Sequence, residues 1–213
     1  MALAHWQQIN PLPALPTLAV MPTDRVKLLA DMAKLSPQEV TRRLDEGHTP
    51  YIALMEGVPA AYGWAAHAHA EIGELDIAFD LPRDQVYLWD FATLPQWRGL
   101  GIYPHLLQGI VQQEAAAHFW IIYAPENYAS SRGIQRAGFA PVGELSYVKW
   151  QAGAGLHPLS AAAYQGADLL HIPLADRADL ASCWCCTMQA RAAEEFHAPG
   201  CWSGVCACTQ RPA

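Results

Sequence analysis

Cysteine is absent from the first 182 residues of this 213-residue chain, so no disulfide framework can organise its main body. Lysine and arginine total only 13 and form no block anywhere, which removes the electrostatic footprint expected of a nucleic-acid binder. No apolar run approaches the ~20 residues that a membrane span needs. The first 21 residues lack a basic n-region and are cut by Pro11, Pro13 and Pro16, a pattern unlike a secretory signal. Charged residues make up 15% of the chain and hydrophobic ones 52%, so a self-repelling disordered polymer is excluded and a folded core is expected. These absences together predict a soluble, cytoplasmic protein, monomeric or homodimeric, with neither nucleic acid nor membrane as partner. The net charge of -7 tilts the surface towards cationic ligands.

Residues 1–19 are Pro-rich and without periodicity, and read as an extended arm. Asp24 to Leu35 carries apolar residues at helical spacing. Ser36 then caps a second helix that has Pro37 at its first position and runs to Gly47. From Pro50 the period shortens, and two β-rich runs are joined by the turn Glu56-Gly57, a hairpin. An irregular extended piece is expected over Leu75 to Phe79. Gln85 to Leu94 is almost wholly apolar, as a strand covered on both faces should be. Pro104 to His118 is an amphipathic helix, Phe119 to Tyr123 another buried strand, Asn127 to Ala137 a helix that stops at Gly138, and Val142 to Trp150 a final strand. Strand–helix–strand connections bring parallel neighbours together. The fold class is therefore mixed α/β (α+β), with a partly parallel central sheet flanked by helices over 20–150, followed by a Cys-rich C-terminal extension over 151–213.

The most informative stretch, Gln96-Trp97-Arg98-Gly99-Leu100-Gly101-Ile102, lies between the buried strand and the amphipathic helix. Glycines at 99 and 101 allow a tight turn that brings successive N–H groups near an anion, and the start of the helix adds orphan donors and a positive dipole end. A bare strand-to-helix turn fits the same two glycines. The dinucleotide pattern GxGxxG is not met, nor is the Lys-Ser/Thr of a Walker loop.

In this position the stretch resembles the Q/R-x-x-G-x-G/A acetyl-coenzyme A motif of the GCN5-related N-acetyltransferases. Asn127-Tyr128-Ala129-Ser130-Ser131-Arg132, ending in Arg136-Ala137-Gly138-Phe139, is similar to that family's N-x-x-S/A…G-F segment, one helix and one strand later. The resemblance implies a domain over 20–150 that uses acetyl-CoA as substrate. Gln96, Trp97, Arg98, Gly99, Leu100, Gly101 and Ile102 would cradle the pyrophosphate. Phe91, Ala92 and Thr93 would splay from the strand ending at Tyr123 to Pro125 and take the pantetheine arm as a missing strand. Asn127 and Ser130 would bond the arm or the adenine-side groups, although a helix cap and a first-turn polar residue explain them equally. The implied activity is acetyl transfer to a primary amine by direct attack, with a small-molecule amine or a protein N-terminus or lysine as acceptor.

Direct attack needs a base for the amine proton and an acid for the leaving thiolate. Family members often carry a Tyr five residues before the Phe of G-F as that acid, and here the position is Ile134. Tyr128, Ser131 and Tyr123 are substitutes near the same mouth, each also readable as packing or capping. For the base, Asp90 stands within Tyr87-Leu88-Trp89 and Phe91-Ala92, where burial would raise its pKa; a buried carboxylate satisfied by backbone or arginine is the plainer reading. Glu71 and Glu74 are runners-up that could also bind a cation, and His67 and His69 read as surface residues. The alternative to an enzyme is a catalytically weak acyl-CoA sensor with a metal- or redox-responsive tail. That tail holds Cys183, Cys185, Cys186, Cys201, Cys206 and Cys208, enough thiolates for one structural zinc, though neither cluster shows the C-x-x-C chelate, and free thiols serve as well.

Overall fold

The computed structural model describes residues 1–8, 10–148 and 153–175. Its elements, in chain order, are β1 (Ala2–Trp6), β2 (Leu18–Pro22), α1 (Val26–Ala33), α2 (Pro37–Asp45), β3 (Thr49–Met55), β4 (Val58–Ala66), β5 (His69–Ile72), β6 (Ile77–Asp80), β7 (Gln85–Thr93), α3 (Ile102–Gln113), β8 (His118–Tyr123), α4 (Tyr128–Ala137), β9 (Phe139–Val148), β10 (Gly153–Pro158) and α5 (Ala163–Leu169), with a 3₁₀ turn at Pro95–Trp97. Eight strands form one sheet in the order β10-β9-β1-β8-β7-β4-β3-β2. The β7–β8 pair is parallel and its neighbours are antiparallel. This is the mixed, partly parallel sheet flanked by helices that the element order predicts.

Local chemistry explains the elements. Ser36 caps α2, its side chain accepting from the Glu39 N–H with Pro37 in the first turn, and Asn127 caps α4 by accepting from the Ser130 N–H. The β3–β4 hairpin turns through Glu56 and Gly57, both at positive φ, the geometry of a two-residue turn matched to strand twist. The expected irregular piece is a separate two-stranded hairpin, β5–β6.

The segment expected as an arm over 1–19 departs furthest from the sequence reading. Its first strand is wedged between β8 and β9, antiparallel to both. Ala2 and Ala4 turn to the core under α3 and α4, and Leu3 to the opposite face, where it packs with Trp120 and α5. The chain then runs along α3: the Leu12 N–H donates to Gln108 Oε1 at 2.9 Å, and Gln108 Nε2 donates onward to the Ala137 carbonyl at 3.3 Å. Five residues without periodicity give no amphipathic signal when both strand faces are covered, so the sequence pattern could not reveal this strand. The sheet also crosses the expected boundary at 150, because β10 pairs with β9 throughout its length.

α1 and α2 cover Ile52, Tyr62 and Trp64 on one face, while α3 and α4 cover the other. The C-terminal end of α3 is fastened by a buried polar cluster: Tyr51 donates to Glu114 Oε1 at 2.8 Å, and His67 Nε2 lies 3.0 Å from Glu114 Oε2. His67, expected on the surface, is half-buried here. Its bond to Glu114 pulls its pKa up against the desolvation of burial. Desolvation pushes Glu114 up, but the bonds from His67 and Tyr51 outweigh it and leave the carboxyl below its ordinary value. The His67 contribution is full below its ordinary 6.5 and fades as pH rises through the raised folded value. The Glu114 contribution is full above 4.5 and fades as pH falls through the lowered one. Glu114→Gln should therefore cost roughly 1–3 kcal/mol. In urea denaturation the deficit should be largest at mildly acidic pH and shrink towards pH 9; a deficit independent of pH would show that the ion pair is not its source.

Candidate functional site

β7 and β8 pair only from Gln85↔His118 to Leu88↔Ile121; beyond that, β7 leaves its neighbour. The cause is a bulge. Trp89 faces Trp64 and Ala92 faces Tyr62, so Asp90 and Phe91 together oppose Gly63, with the Phe91 ring lying over that glycine. Asp90 takes the left-handed conformation at φ 49°, which Asp tolerates better than most residues. A bulge bends its strand and tightens the twist. Phe91, Ala92 and Thr93 are thereby carried away from β8, and among the described residues the edge they turn towards it has no strand partner.

Asp90 itself is pinned from the α2 side. Arg43 Nη1 donates to its Oδ2 at 2.5 Å, and Arg43 Nε to Glu39 Oε1 at 2.9 Å. The guanidinium stacks on Trp89 at 4.5 Å and on Trp64 at 5.2 Å from the ring centroids, a desolvated cation–π arrangement. The Asp90 side chain is 31% exposed. Of the two readings of Asp90, the carboxylate with an arginine partner is the one found, and it reaches a cavity. The neighbouring phenol feels both charges; burial first, then the Asp90 carboxylate, push Tyr62 up to about 12.

That cavity, about 650 Å³, lies beside the bulge on the α1–α2 face. Trp89, Tyr87 and Leu35 supply apolar walls, and Glu71, Glu74 and Asp90 bring three carboxylates against the one guanidinium of Arg43. Among the described residues, Trp89 Nε1 is buried without a hydrogen-bond partner. Sequence reasoning named Glu71 and Glu74 but had no means to find Arg43, since a basic residue in the last turn of an exposed-looking helix carries no signal of a partner 47 residues away.

On the other face, the chain after β7 makes the 3₁₀ turn and enters α3. Gly99 and Gly101 lie at φ 82° and 78°, with nothing within 4 Å of a Cβ added at either; backbone conformation, not space, requires glycine there. The Arg98 side chain ties the turn down, Nε donating to the Thr93 carbonyl at 3.1 Å. Its own N–H is taken by the Pro95 carbonyl at 3.3 Å, so the Arg98 amide is not free to serve an anion as the motif implies. The orphan donors of the helix start fall to Ile102 and Tyr103, since Pro104 has none. Gln96 and Leu100 are exposed and Trp97 half-buried against the core.

Across the opening stands the start of α4. Asn127 is committed to its cap. Ser130 gives its backbone N–H to that cap, and Ser131 receives a side-chain hydrogen bond from Gln135 Nε2 at 3.4 Å. Tyr128 is 73% exposed, which leaves it no enclosed pocket for proton transfer, and Ile134 is buried in the core. The six cysteines assigned as metal ligands lie outside the described residues; among the described residues no three His, Cys, Asp or Glu side chains are grouped to hold a metal. Among the described residues, too, no helix is long and apolar enough to cross a membrane.

Alanine at position 101 should cost roughly 1–2 kcal/mol through its left-handed backbone alone. Urea denaturation checks this; no loss of stability would mean the turn adopts another conformation.

No family model and no curated protein matches the chain. Among solved structures it is similar to the aminoglycoside N-acetyltransferase AAC(6')-Iy in complex with the bisubstrate analogue CoA-S-monomethyl-acetylneamine, at 16% identity over 62% of this chain and 97% of that one, TM-score 0.49. It is similar to AAC(6')-Ib bound to paromomycin and acetyl-CoA, at 18% identity over 65% and 88%, TM-score 0.45. A GNAT-family acetyltransferase from Colwellia psychrerythraea is similar at 14% identity over 66% and 52%, TM-score 0.45.

Proposed function

We propose that this chain is an acetyl-CoA-dependent N-acetyltransferase acting on a small cationic amine. The observation that carries the reading is the parting of β7 from β8 directly above a glycine turn and a helix start. Pyrophosphate would sit on the N–H groups of Gly99, Leu100, Gly101, Ile102 and Tyr103. From there the pantetheine arm would run along the free edge of Phe91, Ala92 and Thr93, satisfying backbone groups that β8 leaves unpaired. Its thioester would then reach the bulge at Asp90.

The acceptor would enter from the opposite face, through the acidic cavity, whose size suits a small molecule. Three carboxylates against one guanidinium favour an ammonium group, and Trp89 and Tyr87 add apolar and π surface for its carbon skeleton. In the reaction the ammonium loses a proton to Asp90 or through water to Glu71 or Glu74. The amine nitrogen attacks the carbonyl carbon, the C–N bond forms, the C–S bond breaks, and the second proton that the nitrogen sheds on becoming an amide passes to the leaving thiolate. Arg43 acts through Asp90 by holding its carboxylate at the bulge.

Incubation with acetyl-CoA and a panel of mono- and polyamines, followed by thiol release, tests the reading. Turnover should favour amines carrying a second cationic group, and Asp90→Asn should lower kcat/KM by about 10²-fold. CoA binding without turnover on any amine would favour the sensor instead, a reading to which the buried Ile134 in the expected tyrosine position lends weight.

A further inference from the structure

The acidic cavity contains a polar group that an ammonium ligand does not account for. Tyr87 stands on β7 two residues before Trp89 and three before Asp90, so its side chain leaves the same face of the sheet as Trp89. Its cross-strand neighbours are Ala66 on β4 and Trp120 on β8. The Phe79 ring of the β5–β6 hairpin meets it edge-on, centroids 5.3 Å apart. Tyr87 is 5% exposed, and what it exposes faces the cavity. Of the buried tyrosines Tyr51, Tyr62, Tyr87 and Tyr123, Tyr87 alone lines that cavity.

The surroundings of the ring give its hydroxyl no acceptor. Leu3, Ala66, Ile72 and Phe79 share its buried cluster and are apolar. Trp120 is a donor only, and its Nε1 is committed to Gln85 Oε1 at 2.7 Å. Among the described residues the Tyr87 hydroxyl has no hydrogen-bond partner. A phenylalanine would fill the same space without burying an unsatisfied O–H. Burial, and after it the Glu74 carboxylate, push the phenol above its ordinary value, so the group that reaches the cavity is a neutral O–H. An ammonium has no lone pair and cannot accept that proton. A ligand carboxylate could accept it, but would enter beside Glu71, Glu74 and Asp90 and be repelled.

We infer that Tyr87 is a specificity-determining residue of the acceptor cavity, donating its hydroxyl proton to an uncharged oxygen, hydroxyl or carbonyl, on the same small amine whose nitrogen reaches Asp90. The inference rests on the acceptor reading of this cavity given above. Three residues of strand span about 10 Å, so the oxygen stands at the far end of the acceptor from the reacting nitrogen, with the carbons between them packed on Trp89. A site that hydrogen-bonds a ligand oxygen rejects the analogue lacking it, because its own buried polar group is then left unpaired.

Calorimetry in the presence of CoA tests this on the wild type and on Tyr87→Phe, with n-hexylamine and its ω-hydroxy, ω-carboxamide and ω-carboxylate derivatives as probes. The wild type should bind the ω-hydroxy or the ω-carboxamide amine about tenfold more tightly than n-hexylamine, and the ω-carboxylate more weakly than either. Which of the two leads tells a hydroxyl from a carbonyl. In Tyr87→Phe the preference should fall to about one, a change of ratio that a loss of packing, felt by every probe alike, does not produce. Urea denaturation should find Tyr87→Phe at least as stable as the wild type, since the hydroxyl it deletes bonds to nothing in the fold. A wild type that does not discriminate, a variant that keeps the preference, or binding of none of the four probes would overturn the inference. A destabilised or unfolded Tyr87→Phe would show that the hydroxyl serves the fold, and would overturn it too. The preference and its loss, seen without thiol release from acetyl-CoA, would support the role of Tyr87 while contradicting the transfer reaction.

Discussion

The site depends on one break in the sheet's regularity, the bulge at Asp90 and Phe91. A continuous β7–β8 ladder would pair every backbone group as far as Thr93 and leave nothing for a ligand to satisfy. The bulge ends that pairing and turns a strand edge into an unfilled position. Its conformation is held from several directions. Asp90 accepts the left-handed backbone, Arg43 fixes its carboxylate, two tryptophans clamp the arginine, and Gly63 leaves room for the Phe91 ring.

The two faces of the break differ in charge. On the α3 side, backbone amides and a helix start present partial positive charge to an anion. On the α1–α2 side, Glu71, Glu74 and Asp90 present carboxylates, suited to a cation. An anionic donor and a cationic acceptor would thus approach from opposite faces and meet at the bulge, each repelled from the other's entrance.

Much of this was legible in the sequence where a local rule operates. The glycine turn, the Ser36 and Asn127 caps, the Glu56-Gly57 hairpin and the almost wholly apolar run of β7 all follow from chemistry within a few residues of each position. What escaped depends on partners distant along the chain. Arg43 meets Asp90 across 47 residues, β1 meets β8 and β9 across more than a hundred, and Tyr103 meets Gly133 only because α3 and α4 pack together. His67 read as surface for the same reason: its bond to Glu114 becomes visible only once distant elements converge.

The most direct test of the account is a titration of isotopically labelled protein with CoA, followed by backbone amide NMR. The account predicts saturable shifts centred on the amides of Gly99, Leu100, Gly101, Ile102 and Tyr103 and along Phe91 to Thr93, with the far strands β2 and β10 unmoved. Shifts confined to other regions, or none at saturating CoA on folded protein, would contradict it.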